Sequence, residues 1–165
     1  MIYIQTVQEI VFLMPTQDFK FNYKKFKTNH MKSLSIEATE IFKNLISLAN
    51  QNEGHIKIQN DDSFMAVIVE RLDEIDFGGQ RAINYSIAHY GKLNGDLMAD
   101  PEMTFIFLPE TDNVYPSSFT NHYAGAYREC LFLDGEKWKI NKKEQADQAL
   151  FSEQWMKNIK DQQRL

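Results

Sequence analysis

Short stretches of alternating apolar and polar residues, separated by turn residues, occupy the middle of the chain and restrict its fold more than any other feature. Residues 81–90 alternate in this way, the pair Asn94-Gly95 follows, and residues 103–108 form a second apolar stretch. Alternation with a period of two is typical of a half-buried β-strand, and Asn-Gly favours the tight turn of a hairpin. The middle of the chain is therefore predicted to form antiparallel hairpins.

Weaker signals of the same kind lie on both sides of this hairpin. Residues 55–59 and 64–69, separated by a polar turn, predict another hairpin, and residues 123–132 predict a further strand. Tyr115-Pro116 opens a polar stretch, to which no strand is assigned. The sequence therefore predicts a single sheet built from the strands between about residues 55 and 132.

Two segments with helical periodicity flank the strands. Residues 35–51 carry an apolar stripe, with Ser35 as the expected N-cap, and residues 143–161 carry another, with Asn141 as the expected N-cap. Hairpin-length connections favour an antiparallel sheet over a parallel one. The predicted fold class is α+β, in which an antiparallel sheet of five or six strands has one face covered by both helices.

The first residues differ from the rest in pattern and in charge. Residues 1–33 carry a net charge of +3, whereas residues 34–165 carry −8. Residues 19–27 mix aromatic side chains with lysines, as an exposed strand or an arm would. We interpret residues 1–30 as a basic N-terminal arm or edge strand, and residues 31–165 as a single α+β domain.

Carboxylates dominate the middle of the chain, where residues 61–112 contain eleven acidic and three basic residues. Such a surface repels phosphate and attracts basic protein surfaces, so direct nucleic-acid binding is not expected except by the basic arm. Acidic residues and aromatic residues, if exposed, are the candidate binding residues, and Phe105 is a further candidate anchor. The candidates are Asp61, Asp62, Asp73, Glu74, Asp76, Tyr90, Asp96, Asp100, Glu102, Tyr115 and Tyr123.

Signatures of familiar enzymes are absent from the sequence. There is no Gly-rich phosphate loop, His-Glu-x-x-His, Gly-x-Ser-x-Gly or Cys-x-x-Cys motif. No catalytic residue and no cofactor are therefore assigned. One alternative stays open, because oxygen ligands and imidazoles suit a divalent metal ion. Its candidate ligands are His89, Asp96, Asp100, Glu102 and His122.

Cys130 is the one cysteine of the chain. It cannot form an internal disulfide, and its apolar strand favours a packing role over a nucleophilic one. The sequence also has no apolar stretch long enough to span a membrane, and its opening residues lack the basic region of a secretory signal. We expect a cytoplasmic protein.

Several short motifs together resemble a known family. They are His89-Tyr90, Asn94-Gly95-Asp96-Leu97-Met98, Asp100-Pro101-Glu102-Met103, Tyr115-Pro116 and Gly125-Ala126-Tyr127-Arg128-Glu129. This pattern resembles an uncharacterised small-domain family of bacterial mobile elements and prophages, over about residues 34–162. The resemblance implies no known activity, so no catalytic role is transferred.

The acidic charge of residues 34–165 and this resemblance favour a non-enzymatic protein of a phage or mobile element. We expect it to bind and inhibit a host defence system through an acidic protein-binding surface, as an inhibitor of the anti-CRISPR or anti-restriction type. The expected partner is a host defence protein, a basic nuclease or nucleoprotein effector, and no membrane partner is expected. The alternative is a metal-dependent enzyme that acts on a nucleotide or a nucleic acid.

Overall fold

The structure is a computed structural model, and it describes residues 30–165. The predicted arm or edge strand therefore lies outside the described residues, apart from His30. Two helices and eight strands follow one another along the described chain. They are α1 (Ile36–Asn50), β1 (His55–Ile58), β2 (Val67–Asp76), β3 (Arg81–Leu93), β4 (Asp96–Leu108), β5 (Asn113–Asn121), β6 (Ala126–Glu129), β7 (Leu131–Asp134), β8 (Lys137–Ile140) and α2 (Lys142–Gln163).

Strands β1 to β6 form one antiparallel sheet in which the spatial order equals the chain order, and β7 and β8 form a separate hairpin. The predicted α+β class and the antiparallel sheet are confirmed, with six strands in the main sheet. Each strand needs no more than a short connection to reach its neighbour, which is the arrangement that hairpin-length connections favour.

Both helices begin at the predicted caps. The Ser35 hydroxyl accepts a hydrogen bond from the Ala38 N–H at 3.2 Å, and the Asn141 side chain accepts one from the Glu144 N–H at 3.2 Å. Each bond satisfies an N–H group that has no partner within the helix. Helix α2 ends at Gln163, and its C-cap residue Arg164 has left-handed backbone geometry.

The longest strands, β3 and β4, each contain 13 residues and pair along nearly their whole length. Asn94 and Gly95 join them with positive φ angles of 52° and 89°. Two successive positive φ angles characterise the type I′ turn, whose twist matches that of the two strands. The Asn-Gly pair therefore fixes the register of the central hairpin.

The main core lies between the helices and one face of the sheet. Phe42 of α1 is fully buried and packs against Tyr85 of β3 and against Phe105 and Phe107 of β4, with ring centroids 5.4 to 5.9 Å apart. Helix α2 adds Met156 and Ile159 to the same cluster. We call this side of the sheet the helix face.

A second, smaller core lies on the opposite side of the sheet. The β7–β8 hairpin packs there, so that Trp138 meets Phe77 with ring centroids 4.8 Å apart, and Ile106 and Tyr115 complete the cluster. The Trp138 indole N–H donates to the backbone carbonyl of Asp76 at 3.2 Å. This hairpin covers one end of the second face and leaves the rest of that face without a covering helix.

One strand prediction is wrong, and one strand was missed. Residues 123–132 do not form one strand of the main sheet, because the chain passes from β6 to β7 at Cys130 and β7 pairs with β8 instead. The polar residues after Tyr115-Pro116, to which no strand was assigned, belong to β5. Their hydroxyl side chains project from the sheet face that no helix covers. A run of polar residues in sequence is therefore compatible with a strand here, although it resembles a loop.

Phe42 provides a test of the main core. We expect Phe42→Ala to lower the free energy of unfolding by about 3–5 kcal/mol, because the cavity would lie among three aromatic partners. Leu150→Ala on the exposed side of α2 is the control, since Leu150 is 74% exposed, and its effect should stay within about 0.5 kcal/mol. Urea unfolding of both variants measures the difference, and equal losses would contradict this description of the core.

Candidate functional site

The acidic residues proposed as one binding surface lie in several parts of the fold. Asp61 and Asp62 belong to the loop between β1 and β2. The Asp61 carboxylate accepts hydrogen bonds from the Ser63 N–H at 2.9 Å and from Arg164 at 2.8 Å. The bonds from Ser63, and then Arg164, hold the pKa of Asp61 below its usual range. Asp61 is thus engaged within the chain, whereas Asp62 is exposed.

The acidic residues at the end of β2 also have partners. Glu74 accepts two hydrogen bonds from Arg81, at 2.6 and 2.9 Å, and one from Arg71 at 3.3 Å. The hydrogen bond from Arg81 is the main reason why the pKa of Glu74 is lowered. Asp76 accepts from the Gly79 N–H at 2.7 Å and so closes the turn that leads to β3. These two carboxylates stabilise the local structure.

The aromatic candidates divide into buried and accessible ones. Tyr115 is only 4% exposed and Phe105 is fully buried, so neither meets the condition of exposure. The sequence did not reveal the β7–β8 hairpin that covers Tyr115. Tyr90 is half-buried and Tyr123 is 47% exposed. The Tyr123 hydroxyl lies directly over Gly91, where a Cβ atom would come within 2.4 Å of it.

His89, a candidate metal ligand, lies on the helix face. Its Nδ1–H donates to the Ala66 carbonyl at 3.0 Å, and its ring packs against Trp155 of α2 with centroids 5.6 Å apart. Burial lowers the pKa of His89 below its ordinary value of 6.5, although the Ala66 carbonyl and the charge of Asp100 act in the opposite direction. The imidazole is therefore packed in the core, where burial favours its neutral form.

The other candidate metal ligands are not gathered into a metal site within residues 30–165. Asp100 accepts a hydrogen bond from Asn121, and His122 accepts one from the Ala99 N–H, each at 3.0 Å. Asp96 is exposed beside the β3–β4 turn, and Glu102 points away from the helices. Within residues 30–165, no group of three or more His, Cys, Asp and Glu side chains is arranged to hold a metal ion.

Cys130 is fully buried between β6 and β7. Its thiol donates to the carbonyl of Pro116 at 3.2 Å. Burial, and then the negative charge of Glu144, raises the pKa of Cys130 to about 12. The side chain packs in the second core, as its apolar strand indicates.

The most distinctive polar surface lies on the second face of the sheet, beside the part that the β7–β8 hairpin covers. Directly paired residues of neighbouring antiparallel strands project to the same side. The strand pairing defines two rows of residues that cross β2 to β6. We call these two rows, together with Tyr90, the open face. The first row is Glu70, Ser86, Thr104, Ser118 and Glu129, and the second is Ile68, Ala88, Glu102, Thr120 and Tyr127.

Glu102 lies at the centre of the open face and is held by hydroxyl groups. It accepts hydrogen bonds from Ser86 at 2.9 Å and from Tyr90 at 3.3 Å. Burial, and then the charge of Glu102, raises the pKa of Tyr90 to about 12. In the neighbouring row, Thr104 shares hydrogen bonds with Ser118 at 2.5 Å and with the adjacent Ser117 at 2.7 Å. The hydroxyls orient the carboxylate but do not neutralise it.

The open face is acidic. On β2 to β6 its two rows contain Glu70, Glu102 and Glu129 and no lysine or arginine, and on β1 the rows continue to His55 and Lys57. Asp73 joins them from the bulge of β2, since it accepts a hydrogen bond at 2.7 Å from Asn84, whose side chain projects to the same side. Within residues 30–165, neither Glu102 nor Glu129 has a lysine or arginine within ion-pair distance. Of the predicted binding residues, Asp73, Tyr90 and Glu102 lie here.

Glu70, Glu129 and the hydroxyl groups of the open face were missed from the sequence. Their signal was present, because alternation places Ser86, Ala88 and Tyr90 opposite the apolar Tyr85 and Ile87. What was missing was the register, which decides which residues of five strands share one row. The acidic residues were therefore grouped by their closeness in sequence instead of by their position on the sheet.

A cavity of about 720 Å³ lies elsewhere, at the sheet edge beside the end of α1. Asn50, Glu53, Arg71 and Tyr85 are among the residues that line it, and Asp73 borders both the cavity and the open face. The Asn50 and Tyr85 side chains bond to each other at its base, at 3.0 Å. The central residues of the open face do not line this cavity.

The fold and its surface together define a small α+β domain with one sheet face covered by helices and the other partly open. The chain belongs to the family described as a domain of unknown function, DUF6908, whose model matches residues 39–165. This confirms the expectation of an uncharacterised domain family. No curated protein and no solved structure matches the chain. Among the described residues, no helix has both the length and the apolar character needed to cross a membrane.

The burial of His89 predicts a pH dependence of stability. Because its pKa is lowered in the folded state, the unfolded chain binds more protons at this site as the pH falls below 6.5. We expect the free energy of unfolding of the wild-type chain to fall between about pH 7.5 and pH 5.5, and His89→Asn to remove part of that slope.

Urea midpoints over this pH range measure the effect. His30→Asn is the control, because His30 is exposed. The quantity compared is the change of the urea midpoint with pH, so an overall loss of stability in His89→Asn does not affect the comparison. The same slope in His89→Asn and in the wild type would show that His89 does not cause it.

Proposed function

We propose that this chain is a non-enzymatic binding protein whose open face receives a basic surface of a partner protein. The observation that carries the proposal is the pair of cross-strand rows, which on β2 to β6 contain three carboxylates and no lysine or arginine. A carboxylate held by hydroxyls but without a cation is positioned to accept a lysine or an arginine from outside. The exposed ring of Tyr127 offers a flat apolar contact beside it.

The ionisable groups of the described residues also support binding over catalysis. General acids and bases act best when their pKa values lie near the working pH. Tyr90 and Cys130 have pKa values raised to about 12, and His89 is buried with its Nδ1–H bonded to a backbone carbonyl. These shifts move each group away from a role in proton transfer at neutral pH.

For the partner we propose a host defence protein, specifically a basic nuclease or nucleoprotein effector. Two arguments support this choice: the net charge of −8 over residues 34–165 and the resemblance to domains of bacterial mobile elements and prophages. A protein that presents carboxylates in place of phosphates competes with nucleic acid for a basic channel. Opposite charge also increases the rate of encounter. This would be an inhibitor of the anti-CRISPR or anti-restriction type, acting in the cytoplasm.

The test is differential affinity capture from cells that carry the proposed host defence systems. The baits are the wild-type chain, the open-face variant Asp73→Lys/Glu129→Lys, and the control variant Asp147→Lys/Asp161→Lys, whose exposed positions lie on α2. Both variants change the net charge equally, so a difference between them reports position and not total charge. Quantitative mass spectrometry compares the recovered proteins.

We expect a basic defence protein to be recovered with the wild type and with the α2 control, and to be lost with the open-face variant. Recovery of the same proteins with all three baits would contradict the proposed binding surface. Recovery of a partner with no basic surface would contradict the charge argument even if the open face binds it.

A further inference from the structure

We propose that residues 19–27 of the same chain dock on the open face and act as an internal ligand that a partner must displace. This inference concerns the free protein, so it does not depend on the identity of the partner proposed above. Its starting point is that the open face is acidic and that neither hydrophobic core of the described residues includes a residue of its two rows.

The charge and chemistry of residues 19–27 complement the open face. This segment contains four lysines, four aromatic residues and no acidic residue. The open face and the adjoining β2 bulge present Glu70, Asp73, Glu102 and Glu129. Opposite charges attract most strongly where water is partly excluded, and aromatic rings cover apolar atoms such as those of Ile68 and Tyr127.

The chain enters the described fold on the side of the sheet that carries the open face. Met31 packs against the second core, whose Ile106 follows Thr104 by two residues on β4 and so projects to the same side as the open face. Only residues 28–30 separate the segment 19–27 from Met31. No long connecting segment is therefore needed between them.

Docking of this kind would regulate access to the open face. A basic partner would compete with the four lysines of residues 19–27, so a weakly basic protein would fail to displace them. The same arrangement keeps a row of carboxylates and hydroxyls away from unrelated basic proteins. The positive charge of residues 19–27 would thus shield the negative charge of the open face until a basic partner displaces the segment.

Paramagnetic relaxation in the full-length chain tests the docking directly. A nitroxide spin label is attached to Asn22→Cys, which keeps all four lysines, and native Cys130 is fully buried and does not compete for the label. We expect the amide signals of Ser86, Glu102 and Ser118 to lose most of their intensity. The amides of Asp147 and Asp161 on α2 should be unaffected.

Two controls make the result specific. Replacement of Lys20, Lys24, Lys25 and Lys27 by glutamate in the labelled chain should restore the open-face signals, and raising the ionic strength to about 1 M, where charges are screened beyond about 3 Å, should weaken the effect. Unchanged signals of both helices would show that these variants remain folded.

Broadening that is centred on the helix face, spread evenly over the domain, or absent would overturn the proposal. Broadening that survives the four lysine replacements would overturn its electrostatic basis. A sample that mixes spin-labelled chain with isotope-enriched, unlabelled chain distinguishes docking within one chain from docking between two copies. Broadening in that sample would mean that a second copy provides the segment, and it would overturn docking within one chain.

Discussion

The pairing of β3 with β4 is the constraint on which the rest of the structure depends. Each strand is 13 residues long, which is about 40 Å of extended chain, and the Asn94-Gly95 turn fixes their register. Once this register is set, Tyr85, Ile87, Met103 and Phe105 face the helices, and Ser86 and Glu102 face the other way. Both the core and the proposed binding surface follow from this one hairpin.

The sequence predicted those parts of the fold in which local pattern and tertiary environment agree. Alternation identified the central hairpin, and the caps at Ser35 and Asn141 identified both helix starts. The prediction failed at β5, whose Ser117, Ser118 and Thr120 are typical of a loop. In the sheet these residues bond to neighbouring hydroxyls or project from the open face, so a tertiary position outweighs the local preference.

The candidate site was less predictable than the fold, because its residues come from five strands. Closeness in sequence grouped Asp61 and Asp62 with Asp73, Glu74 and Asp76, but the structure uses several of these carboxylates within turns and ion pairs. Burial of Tyr115 depends on the β7–β8 hairpin, which has only four residues in each strand. Hairpins that short leave little periodicity to detect.

Binding is expected to depend on the position of charges on the open face and not on net charge alone. The most direct measurement is the association rate constant with the partner recovered by capture, for the wild-type chain, Asp73→Lys/Glu129→Lys and Asp147→Lys/Asp161→Lys. Electrostatic steering changes such rates by about tenfold or more, so the open-face variant should associate at least about tenfold more slowly than the α2 variant. Equal rates for the two variants would contradict the account. Turnover of a nucleotide or nucleic acid that stops on chelation would instead favour the metal-dependent alternative.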